Sequence, residues 1–141
     1  MEVVINRCYG GFGLSLKAQR EYMRRKGKEL FFYEQTKYKH NCGINEYTRI
    51  DDINHSDTIS SCRTKDFGKV TNSFEPDGSR FWDGDIERND PDLIAVIKKL
   101  GDEANDSSSN LHVVEIPDGT DYEIDEYDGL EHIAEAHQTW Y

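Results

Sequence analysis

The chain lacks any apolar run near the ~20 residues that cross a bilayer, so a soluble protein is expected. Its opening MEVVIN is strand-like and has no basic stretch ahead of a long apolar segment, so no signal peptide is expected. Cysteine is scarce: Cys8, Cys42 and Cys62 are an odd count with no C-x-x-C pair, which argues against a disulfide framework and for free thiols in a reducing cytoplasm. Apolar residues make up only 35% of the 141, and a core that small is often completed by self-association. A homo-oligomer is therefore expected.

Positive charge is missing where it would matter for nucleic acid. Residues 101–141 hold 12 acids and no Lys or Arg, whereas residues 1–100 hold all 17 Lys and Arg against 16 acids. So dense an acidic segment repels duplex DNA. Within residues 1–41 the sign reverses, nine basic residues facing four acidic ones, so a phosphate-bearing ligand belongs at that end.

The length fits a single domain, residues 1–141, in which 36–79 is a variable insertion between two more regular halves. In the first half, Val3–Ile5 predicts a strand, Ser15 an N-cap, and Leu16–Lys26 a helix closed by Arg24, Arg25, Lys26 and Gly27. Leu30–Tyr33 predicts a second strand, and strand, helix and strand in this order favour a parallel pair. The middle stretch, rich in Asn, Asp, Ser, Thr and Gly, reads as hairpins or loops with strand-like pieces at Glu46–Asp51 and Ile59–Arg63. In the second half, Asp90 is a cap residue and Pro91 suits N1. Leu93, Val96, Ile97 and Leu100 then recur at helical spacing before Gly101. Leu111–Ile116 predicts a strand, Tyr122–Ile124 a short one, Asp128-Gly129 a turn, and Leu130 the start of a short terminal helix. The class is α/β: a small mixed sheet, two main helices and an inserted hairpin or loop region.

The stretch NRCYGGFGLS, Asn6 to Ser15, admits two readings. Backbone N–H groups of a Gly-rich turn before a helix form an anion cradle, to which Arg7 adds a bidentate donor. Alternatively the glycines make a tight turn packed by Tyr9 and Phe12. Neither G-x-G-x-x-G nor G-K-[ST] is present, so the dinucleotide and P-loop fingerprints are not met. Cys8 is either a thiol activated by Arg7 and a helix N-terminus or a buried small hydrophobe.

RFWDGDIERNDPD, residues 80–92, offers Phe81 and Trp82 as flat faces for a purine, with Arg88 and Asn89 as donors before a helix. The structural alternative pairs Arg88 with an acid of the C-terminal segment and makes Asn89 a capping residue. His40, Cys42, His55 and Cys62 match no standard zinc spacing, and His132 and His137 stand at i+5, so no metal site is expected. With no G-x-S-x-G and no cysteine beside an identifiable base, neither catalytic residues nor cofactors are expected.

The opening segment, together with RNDPDLIAVIKKLGDEAN and LHVVEIPDGTDYEIDEYDGLEHIAEAHQTW, resembles the phage Thoeris anti-defence sponge proteins, the first-described family of that kind. The likeness covers roughly residues 2–33 and 80–140. It implies a small α/β protein assembling through dimers in the host bacterial cytoplasm, away from membranes and duplex nucleic acid. Such a protein holds glycocyclic ADP-ribose, the signal of TIR-domain enzymes, without cleaving it; some members also hold cyclic oligonucleotides at a second site. The ligand set implied is Phe81 or Trp82 as platform, Asn89 as amide, and Arg7, Arg88 and Arg24 for phosphate. Asn6, Cys8, Gly10, Gly11, Phe12 and Asp90 would line the site. A DNA-mimic or protein-blocking factor working through the acidic segment is the alternative.

Overall fold

The computed structural model describes residues 1–39, 44–53, 61–72, 74 and 78–135. The fold is mixed α/β: among the described residues two α-helices accompany small sheets, and every strand pair is antiparallel. The chain divides into two units, Met1–Tyr22 with Asp83–Tyr141, and Met23–Trp82.

In the first unit, β1 (Glu2–Asn6) pairs antiparallel with β6 (Leu111–Glu115), Glu2 facing Glu115 and Asn6 facing Leu111. Val3 and Val4 are fully buried, which the continuous β-branched run anticipates for a strand covered on both faces. α1 (Leu16–Arg25) begins in this unit, and Ser15 is its cap: the Ser15 hydroxyl accepts the Ala18 N–H at 3.1 Å. α2 (Pro91–Leu100) lies against β1 and β6 and buries Leu93, Val96 and Ile97. Asp90 caps it by accepting the Asp92 N–H at 2.9 Å, and Gly101 follows at φ 58°. β7 (Tyr122–Tyr127) and β8 (Leu130–Glu135) form a hairpin in continuous register from Tyr122/Glu135 to Tyr127/Leu130.

In the second unit, β2 (Phe31–Lys39) is flanked by β3 (Ile44–Ile50) and β4 (Ser61–Arg63), and β5 (Val70–Thr71) adds to β3. Tyr33 is fully buried and meets Phe74 edge-on at 5.2 Å between ring centres. Its hydroxyl accepts the Phe67 N–H and donates to the Gly68 carbonyl, both at 2.9 Å. Burial pushes the Tyr33 phenol above its ordinary range. Asp66 closes the same turn: it accepts the Gly68 N–H at 2.8 Å and a forked pair of bonds from Arg49 at 2.9 and 2.8 Å. These bonds, the Gly68 one foremost, hold its carboxyl below the usual aspartate value.

Two expectations are corrected. The parallel strand–helix–strand unit is not formed, because β2 has both edges taken by β3 and β4, while β1 finds an equal-length partner in β6. The helix expected from Leu130 is β8 instead. Asp128 at φ 50° and Gly129 at φ 88° make the two-residue turn whose twist suits a hairpin, and that turn returns the chain as a strand. In the middle stretch, β3 accounts for the piece at Glu46–Asp51, and β4 for the described part of Ile59–Arg63.

Candidate functional site

The end of β1 is built around Asn6, whose side chain has no solvent exposure and is fully bonded. Its Nδ2 donates to the carbonyls of Cys8 and Gly129, both at 2.8 Å, and its Oδ1 accepts the Asn110 N–H at 2.8 Å. The Asn6 backbone N–H donates to Glu131 Oε1 at 2.8 Å. Asn6 therefore shapes the turn from within and has no group left for a ligand. The Cys8 thiol donates to the Ser108 carbonyl at 2.9 Å, which accounts for it as a packed, half-buried group.

The glycines are explained by what they touch. A Cβ at Gly10 would collide with the Ser108 carbonyl, and one at Gly13 with the Asp106 carboxylate. Gly129 of the hairpin turn presses onto the backbone of Tyr9 and Gly11. Close approach at Gly10 and the positive φ of Gly11 thus call for glycine where an anion cradle also would. Nor do the N–H groups leading into α1 stand open: Leu14 donates to Asp83 Oδ2 and Ser15 to the Ala104 carbonyl, both at 2.9 Å. The anion at this turn is the protein's own Asp83.

Arg88 makes a forked pair with Glu131, at 2.6 and 2.8 Å, and its guanidinium lies 3.7 Å from the centre of the Phe12 ring. Glu131 is only 7% exposed, so its charge is taken up by this pair and by the Asn6 N–H. The pair also serves the open edge of β1: the Arg88 carbonyl accepts the Val4 N–H at 2.8 Å, and its guanidinium reaches the Val4 carbonyl at 3.3 Å. The Arg88 carbonyl and the Arg88 and Glu131 side chains stand where a further strand would otherwise bond. The structural alternative read for Arg88, a partner acid in the C-terminal segment, is the observed one, and Glu131 is that acid. Asp90 likewise works as a cap and accepts the Tyr22 hydroxyl at 2.6 Å.

Arg7, Tyr9 and Asn89 differ from these. Arg7 is exposed and, among the described residues, its guanidinium has no ion pair or hydrogen bond. Tyr9 is 64% exposed, so of the two aromatics expected to pack the turn only Phe12 does. Asn89 is exposed beside Arg88. The structure thus joins Asn6, Cys8, Gly10, Gly11, Phe12 and Arg88 in one bonded assembly, with Arg7 and Tyr9 projecting from it. Arg24, Phe81 and Trp82 belong to the second unit: Arg24 pairs with Glu29 at 3.1 Å, Phe81 is half-buried and Trp82 is 59% exposed. Tyr9 and Glu131 were not among the site residues expected from sequence. Tyr9 gives no sign of its exposure beside the glycines, and Glu131 is one acid among many.

Among the described residues no group of three or more His, Cys, Asp and Glu is arranged to hold a metal. His40, Cys42, His55 and His137 lie outside the described residues. No helix among them is long and apolar enough to cross a membrane. Comparison with protein-family models, curated proteins and solved structures finds no match to this chain.

Proposed function

We propose that this protein is a sponge for a cyclic ADP-ribose signal: a non-enzymatic, self-associating binder of glycocyclic ADP-ribose that blocks Thoeris immunity in the host cytoplasm. One observation carries this reading. The turn after β1 is fixed by the buried Asn6, and from it project an unpaired guanidinium, Arg7, and an exposed aromatic ring, Tyr9. A ligand with two phosphates and an adenine needs a cation and a π-face held in place in advance, and no catalytic base. The sequence likeness at Asn6–Ser15 supports the same ligand class and adds Asn89, in the same unit, as a further contact. Arg88 and Asn6 then serve as the frame that holds the turn.

The test is capture and release. The protein is incubated with TIR-produced cyclic ADP-ribose isomers, freed of unbound ligand, heated, and the released material weighed by mass spectrometry. Stoichiometric intact ligand is expected. Arg7→Ala and Tyr9→Ala should each retain at least roughly tenfold less, as loss of a charge-assisted bond or a stacking face implies. Cleaved product would make the protein an enzyme, and no capture would overturn the proposal.

A second reading has its own observation. Asp121, Glu123, Asp125, Glu126 and Asp128 are all exposed on or beside the β7–β8 hairpin, a surface fit to occupy a basic groove as a DNA mimic or protein blocker. Charge reversal of these acids would abolish activity under that reading and spare a sponge.

A further inference from the structure

We propose that the outer edge of β8, with the groove beside it, binds the carboxy terminus of an extended aliphatic peptide. The groove has a volume of about 350 Å³ and a floor of Ile5, Val114, Ile116 and Ile133, with Arg7 and Glu135 on its rim. The turn at Asp128-Gly129 makes Tyr127/Leu130 a hydrogen-bonded pair, and the alternation of an antiparallel ladder then assigns Asp125/His132 and Glu123/Ala134 to the same kind. The main-chain groups of Glu131, Ile133 and Glu135 therefore turn away from β7, and these three residues line the groove. Among the described residues β8 has no strand partner other than β7, and those groups make no backbone bond elsewhere. An open edge of this kind is a template for a further strand.

Charge gives the occupant its direction. Glu131 is neutralised by Arg88, so the formal charges left at the rim are Arg7 and Glu135. His132 also lines the groove, with its imidazole 3.5 Å from Asp125. Arg7 follows Asn6, which bonds Glu131 and Gly129, so it stands at the start of β8. Glu135 is four residues further along, ~13 Å in a strand. A peptide of about four residues running antiparallel to β8 spans that length, its carboxylate on Arg7 and its amino end toward Glu135. The branched aliphatic floor selects Val, Ile or Leu side chains. This proposal shares Arg7 with the nucleotide reading but does not rest on it: failure of nucleotide capture leaves the strand edge and the groove as they are.

The experiment is an NMR titration of the full chain with the peptide Ala-Val-Ile-Val, as the free acid and as its C-terminal amide. The acid is expected to saturate and to shift the amides of residues 131–135. The amide form should bind roughly tenfold more weakly, the worth of one charge-assisted bond. Arg7→Gln, an exposed change that leaves the core untouched, should weaken the acid to the level of the amide. Ile133→Asp should abolish binding of both while leaving nucleotide capture intact. Absence of saturable shifts, equal binding of acid and amide, or shifts confined to other strands would each overturn the proposal.

Discussion

Asn6, Arg88 and Glu131 show how an amide and an ion pair replace a missing strand. Because Glu131 is nearly buried, removing either charge strands the other in a poorly solvated place. Arg88→Ala or Glu131→Ala should cost about 3–5 kcal/mol of unfolding free energy, measured by urea denaturation, whereas Arg7→Ala should stay within about 0.5 kcal/mol. Equal, small effects at all three positions would contradict the buried latch. Gly10→Ala should cost about 1–3 kcal/mol, because it drives a methyl group into the Ser108 carbonyl. The glycines were legible in sequence as a special turn, but their reason was not, since Ser108 lies about a hundred positions away. Spacing within one segment cannot report close approach by another.

The two helices were legible because cap, periodicity and closing glycine agreed: Asp90, the Leu93–Leu100 repeat and Gly101 all point the same way. The final element was not. Leu130, Ile133 and Ala134 fall at helical spacing, yet the Asp128-Gly129 turn ahead of them demands a returning strand, and the turn prevails. Gly129 has φ 88° and touches the Tyr9 and Gly11 backbone, so Gly129→Ala should cost more than about 1 kcal/mol and quicken amide exchange from Tyr122 to Glu135. Unchanged exchange in that hairpin would show that the turn does not hold it. The pairing of β1 was missed for a related reason: a local run predicts that a strand exists, and says little about which distant strand completes it.

At the scale of the whole molecule, Asp66 ties the second unit to pH. Asp66 has a carboxyl pKa below its unfolded value of 3.8, so its contribution is fully present above that value and is lost as pH falls through the lower, folded one. Acidification below about pH 4 should therefore loosen the amides around Tyr33 and Arg49, as hydrogen exchange measured against pH would show; Asp66→Asn should flatten that dependence. An unchanged pH dependence in Asp66→Asn would count against it. The charge asymmetry was fully legible from composition, and the exposed acids of β7 show where it resides. One further consequence lies in the order of synthesis. Asn6 takes its partners from residues up to 125 positions later, and among the described residues β1 pairs only with β6. As the chain leaves the ribosome, β1 emerges well before the strand that completes it, since Asn6 faces Leu111. Val3, Val4 and Ile5 must wait until β6 has been translated, and during that interval they are the natural target of a chaperone.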